Sequence, residues 1–305
     1  MARQDRRLAS PTEGEDALAD ELRTQIREIT SADSDSTSAG TSTWNANMRE
    51  LQRLVATSDP RDFLSWGVVG GSMFIKYAKF SRFEYRYLRQ RPDWPRWERA
   101  LKESRAGNPP RCPFDERTSC NLVHHAYHLA QFEQHTGEDV AQFDVVVEFG
   151  GGYGSMCRLF FNLGFRGRYV IFDLPAVSAL QRYFLKSTGI RVLTPSEFAE
   201  GANGAICVSE FPELASLDVP GRRLFVATWS LSESPLAVRN AFLNENTARF
   251  DSVLLAFQPK FDDIDNVAYF DSWCEMHPEL AWQRESMRHL PNQQYLFAKR
   301  RATQR

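Results

Sequence analysis

The chain has 305 residues, with 37 basic and 39 acidic side chains and a formal net charge of -2. So even a balance excludes a general attraction to nucleic acid or anionic membrane. A hydrophobic fraction of 42% and a charged fraction of 25% are those of a globular chain long enough to bury a core, and no 18-residue apolar run is present. The five cysteines (Cys112, Cys120, Cys157, Cys207 and Cys274) are odd in number, scattered and without a C-x-x-C pair, which points to reduced thiols. With "MARQDRRLASPTEGEDALAD" lacking the apolar core of a signal peptide, a cytoplasmic location is expected. Arginine far outnumbers lysine, as a GC-rich bacterial genome would give.

Residues 1–43 are expected to be a flexible segment and linker. Within them "EDALADELRTQIREIT" has helical spacing at Leu18, Leu22, Ile26 and Ile29, predicting a helix either isolated or docked on a partner. The stretch "SADSDSTSAGTST" (31–43) is too poor in apolar groups to order itself. Residues 44–138 read as helices with connecting loops, a lid over a substrate pocket or a homodimer interface. In "MFIKYAKFSRFEYRYLRQ" the series Phe74, Tyr77 and Phe80 predicts a docking face with solvated arginines, rather than the stacking platform of a single-strand binder. "SCNLVHHAYHLAQFEQHTG" is a helix ending on a Thr-Gly C-cap. From 139 short apolar strands alternate with helices, the pattern of a doubly wound α/β sheet. The strands are "DVVVEF", "RYVIFD", one of "IRVL" or "AICVS", "RLFVATWS" and "SVLLAFQP", followed by two strands within "AWQRESMRHLPNQQYLFAKR" with no helix between them.

The first strand runs into "EFGGGYG", with Glu148, Gly150, Gly152 and Gly154 at alternate positions. Glycines there permit a tight strand-to-helix turn and close approach to a ligand at a helix N-terminus. The loop ends without the Lys-Ser/Thr of a triphosphate site, and Ser155 stands where a dinucleotide loop needs its third glycine. Asp173 ends the second strand, 21 residues after Gly152, where a carboxylate accepts both hydroxyls of a ribose. Loop and acid together specify an adenosine sugar without specifying a pyrophosphate.

On these residues residues 140–301 resemble the class I S-adenosylmethionine-dependent methyltransferases. Through "EFGGGYGSMCRLF", "YVIFDLPAVSALQRYFL", "ATWSLSE" and "RHLPNQQYLF" they are similar to the bacterial sugar O-methyltransferase group. The resemblance implies a seven-stranded Rossmann-like sheet with an antiparallel last strand. It also implies S-adenosylmethionine as methyl donor, with Gly150, Gly152 and Gly154 against its methionine part, Glu148 on its polar end, Asp173 on the ribose and Leu174 beside the adenine. Ser209 and Glu210, rather than Thr194, are taken to touch the adenine.

Methyl transfer needs an oriented nucleophile and a route for its proton. In "TWSLSESP", Glu233 is a candidate base or cation-binding group and Trp229 a wall over cofactor and acceptor; helix capping is the plain alternative for Glu233. His289, between the last two strands, is a second candidate base. Asp262, in the acidic "KFDDIDN", is a candidate substrate contact; a divalent metal held by Asp262, Asp263 and Asp265 is not favoured. Zinc on His124, His128 and Cys120 is disfavoured too, while His128 is taken as a substrate contact from a helix covering the glycine loop. The expected function is methylation of a small polar metabolite, with sugar O-methylation in a tailoring pathway first. Alternatives are N-methylation of an amino acid or guanidino compound such as arginine, and a non-catalytic cofactor-binding subunit.

Overall fold

The computed structural model describes residues 13–32, 42–76 and 79–301. Residues 33–41, most of the expected linker, and Tyr77 of the aromatic series lie outside them. Before the first strand come α1 (Glu13–Ala32), α2 (Ser42–Thr57), α3 (Gly67–Ser72), α4 (Lys79–Gln90), α5 (Trp94–Ala100) and α6 (Cys120–Thr136). Then follow β1 (Val145–Phe149), α7 (Ser155–Asn162), β2 (Arg168–Phe172), α8 (Pro175–Ser187), α9 (Pro195–Ala199), β3 (Gly204–Val208), α10 (Phe211–Ser216), β4 (Arg223–Thr228), α11 (Leu236–Asn246) and β5 (Ser252–Phe257). A small ladder, β6 (Lys260–Phe261) and β7 (Ile264–Asp265), leads into α12 (Asn266–Met276), β8 (Leu280–Ser286) and β9 (Gln294–Arg300).

Seven strands form one sheet in the order β3-β2-β1-β4-β5-β9-β8. β1 to β5 are mutually parallel, and β9 lies antiparallel between β5 and β8. This is the expected doubly wound, Rossmann-like α/β sheet with its antiparallel end. The strands are continuous apolar runs because both faces are covered. Val146, Ile171, Val226 and Leu254 face one core, while Val147, Val170, Phe225 and Leu255 face the other, with Phe242 of α11 and Phe270 and Trp273 of α12. Neighbouring residues therefore serve opposite cores, as the strand period requires.

The first core also holds the apolar residues of the N-terminal helices, including Leu22, Leu51, Phe63, Trp97 and Leu122. Within the expected N-terminal segment, α1 docks on α8 through Ala19, Leu22 and Ile26, each buried. Burial of each of the larger two is worth about 1.5–3 kcal/mol. Lys186 reaches Glu21 at 2.6 Å and Arg182 reaches Gln25 at 3.0 Å along the same seam.

One expectation changes and one open choice is resolved. α4 starts at Lys79, after the non-helical residues 73–76, so Phe74 and Phe80 do not share one helical stripe. The third strand is the "AICVS" segment, whereas 190–193 makes only a bridge at Val192. Thr194 accordingly caps α9 with a reciprocal Thr194–Glu197 box. α6 does run from a Ser119 N-cap to Gly137 in the left-handed conformation. Among the described residues no helix is long and apolar enough to cross a membrane.

Candidate functional site

The carboxyl ends of β1, β2, β3 and β4 open on a cavity of about 950 Å3. It lies where the order reverses at β1, the usual ligand crevice of an open α/β sheet. The glycine loop forms its floor. Gly152 has φ +54°, and a Cβ there would come 3.5 Å from Met73. Gly150 has φ +69° and lies so close to Ser230 that a Cβ would overlap it. The Ser230 hydroxyl donates to the Phe149 carbonyl, joining this loop to the one after β4.

Glu148 is buried on the cavity wall, and Tyr169 Oη donates to its Oε2 at 2.9 Å. Burial pushes its pKa up to about 8 against the lowering effect of that bond. Asp173, directly after β2, lies on the same wall. Its Oδ1 accepts from Leu174 N and its Oδ2 from Gln181 Nε2, each at 2.8 Å. The same Gln181 nitrogen donates to the Gly152 carbonyl at 2.8 Å, so one amide ties the acid to the glycine loop. Enclosure raises Asp173 to about 7 despite these donors. Leu174, Ser209, Glu210, Trp229, Glu233 and His128 also line the cavity.

The loop after β4 is held from below. Trp229 has φ +64°, a strained conformation for a non-glycine residue that costs on the order of 1 kcal/mol or more. It is fixed by Trp229 N to the Ala256 carbonyl at 2.7 Å and Nε1 to Gln293 at 2.6 Å. Arg239, fully buried, donates to the carbonyls of Ser232 and Ser234 and, at 2.6 Å, to Asn266 Oδ1. Glu233 therefore belongs to a braced loop, and burial raises its pKa against the effect of Gln258.

Three residues expected at the site are not on the cavity wall. Gly154 caps α7 at φ +94° and packs against Phe184 and Leu185. Asp262 sits at φ +48° in the turn of the β6–β7 ladder, and Asp265 caps α12. His289 turns inward, its Nε2 2.8 Å from Glu84 Oε1. Among the described residues no group of three or more His, Cys, Asp or Glu side chains is arranged to hold a metal ion. The imidazoles of α6 are spent separately: His124 Nδ1 lies 2.7 Å from Glu84 Oε1, and His128 Nδ1 lies 2.6 Å from Tyr295 Oη. Burial drives His128 well below its ordinary pKa and His125 down to about 3.

Sequence reasoning passed over Asn121 and Glu84, weighed His124 only as a metal ligand, and took Phe74 only as part of a docking face. Ile75 N donates to Asn121 Oδ1 at 3.0 Å, laying the segment 73–75 across the glycine loop. For Glu84 a signal existed: one carboxylate on the stripe of α4 that buries Ser81, Tyr85 and Leu88.

No protein-family model matches the sequence, and no curated protein matches it. The chain is similar to solved structures. One is the S-adenosylhomocysteine-bound methyltransferase PaMTH1 of Podospora anserina: 10% identity over 74% of this chain and 89% of that one, TM-score 0.39. Another is the mitomycin 7-O-methyltransferase MmcR: 12% identity, 93% and 94% coverage, TM-score 0.38. A third is the magnesium protoporphyrin IX methyltransferase ChlM from Synechocystis PCC 6803: 13% identity, 75% and 100% coverage, TM-score 0.36. Values this low leave the functional reading to the cavity itself.

Proposed function

We propose that the chain is an S-adenosylmethionine-dependent methyltransferase acting on a small polar acceptor, a sugar hydroxyl first. The observation that carries this is the Gln181 bridge, which fixes the Asp173 carboxyl beside the Gly150–Gly152 turn on one cavity wall. The residues present fit the donor. The Asp173 carboxyl, fixed by Leu174 N and Gln181 Nε2 and lying beside the Gly151 and Gly152 amides, is an acceptor group of the kind that two ribose hydroxyls need. Glu148 Oε1 has no hydrogen bond among the described residues and suits an ammonium group. Bound there, the donor would supply an electrophilic methyl group, and the protein's part would be to orient the acceptor atom and remove its proton. Trp229, Glu233 and His128 then face the acceptor side.

A second reading, N-methylation of a cationic acceptor such as a guanidino compound, is favoured by one feature. Glu148, Asp173, Glu210 and Glu233 share the wall with Arg49 as its one Lys or Arg among the described residues. Titration calorimetry with S-adenosylhomocysteine, S-adenosylmethionine and NAD tests the donor assignment. Both adenosyl sulfur compounds are expected to bind, with Asp173→Ala weakening S-adenosylhomocysteine by about 10- to 100-fold, the worth of a charged hydrogen-bond pair. Binding of NAD alone, or an unchanged affinity in Asp173→Ala, would sink it.

A further inference from the structure

Glu84 is sealed from solvent, and its Oε1 faces two imidazoles at once: His124 Nδ1 of α6 at 2.7 Å and His289 Nε2 of the β8–β9 loop at 2.8 Å. Burial alone would raise this carboxyl, yet the two imidazoles that face it hold it below its ordinary value. A carboxylate only accepts, so each ring nitrogen facing it is the one that carries hydrogen. His124 thereby keeps its proton on Nδ1 and its lone pair on Nε2. His289 keeps its proton on Nε2, and its Nδ1 is buried without a partner among the described residues.

The two rings differ in what they face. His124 lines the cavity, and its Nε2 makes no hydrogen bond among the described residues; His289 is not part of the wall. His124 stacks on Trp229 at 5.6 Å and 19°, and meets His128 edge-on at 4.1 Å. His128 Nε2, buried on the same wall, has no partner among the described residues either. His124 and His128 thus each have one ring nitrogen without a partner among the described residues, on the side of the cavity formed by α6 and Trp229.

We propose that His124 is the proton acceptor of the reaction, that Glu84 is its positioning residue, and that the acceptor substrate is a neutral hydroxyl compound. This rests on the methyltransferase reading of the cavity. As the hydroxyl oxygen bonds to the methyl carbon, its O–H bond breaks, the electron pair stays on oxygen, and the proton passes to His124 Nε2. The ring then carries one positive charge, which the Glu84 carboxylate at Nδ1 and the face of Trp229 stabilise, before the proton is returned to solvent. A guanidinium held beside a ring that must become cationic would oppose this step by like-charge repulsion.

The test is long-range 1H–15N NMR of the full chain labelled with 15N-histidine, with S-adenosylhomocysteine as probe and its affinity measured by calorimetry. The expected result is His124 in the Nδ1–H form with bare Nε2 in the wild type. Glu84→Gln, which offers a donor as well as an acceptor, is expected to mix the two tautomers while S-adenosylhomocysteine affinity changes less than about threefold. His124 found with hydrogen on Nε2 in wild type that still binds the probe overturns the proposal alone, without any variant. Loss of probe binding in wild type overturns the methyltransferase reading and the proposal with it. Transfer of a labelled methyl group to arginine rather than to monosaccharides overturns the hydroxyl assignment.

Discussion

Asp173 and Glu148 are two carboxyls whose folded pKa values, about 7 and about 8, stand above their ordinary 3.8 and 4.5. A carboxyl raised in this way holds its proton longer in the folded chain than in the unfolded one. Its burial is therefore least costly at acid pH, and stability is lost as pH rises from the ordinary carboxyl range through the folded value. Without ligand, urea unfolding should show wild type losing stability relative to Asp173→Asn between about pH 4 and 7. Ribose hydroxyls reverse the preference at Asp173, because they donate to the carboxylate. Binding of S-adenosylhomocysteine near pH 6.5 should thus release up to about one proton per site, seen as a dependence of calorimetric heat on buffer ionisation enthalpy. Equal release from Asp173→Asn would show that the proton comes from another group.

The loop from Trp229 to Ser234 is the element on which donor and acceptor sides meet, and its shape depends on Arg239. That side chain spreads one planar fork over the Ser232 and Ser234 carbonyls and Asn266, an arrangement an ammonium cannot match. Arg239→Lys should cost about 2 kcal/mol by leaving buried acceptors unsatisfied, a fall of roughly 3 °C in Tm for a chain of this size. An unchanged Tm by scanning calorimetry would mean that the loop is held by Trp229 and Ser230 alone. At this scale the sequence was most readable where a pattern is local. β1, β2, β4 and β5 are apolar runs bounded by turn residues, and α6 announces both its caps. The choice between two third strands turned on pairing with β2, which no local pattern encodes. The short helices α3, α5, α9 and α10 are too brief to show periodicity. Glu84 and His289 meet across 205 residues of sequence, so His289 in isolation looked like a loop base rather than a group turned toward a buried acid.

Over the whole molecule, the glycine loop, Asp173 and Trp229 could be placed from sequence because each follows a strand end, and α6 could be expected over the glycine loop because it precedes β1, but the rest of the wall opposite them could not. That wall is supplied by α2, residues 71–75 and α6, which share one apolar core with a face of the sheet. Leu22, Phe63, Trp97 and Leu122 are each no more than 1% exposed within that core. A lid that opens as a separate body would instead present a polar interface to the sheet domain. The described helices and sheet should therefore unfold together, giving a single calorimetric transition whose van't Hoff and calorimetric enthalpies agree. Residues 139–305 expressed alone should fail to unfold cooperatively, since the face that buries Phe160, Tyr169 and Phe184 would lose the α1–α6 residues that cover it. Two resolved transitions in the full chain, or a cooperatively folding 139–305 fragment that binds S-adenosylhomocysteine, would show that the N-terminal helices are an independent cover and not part of the fold that shapes the cavity.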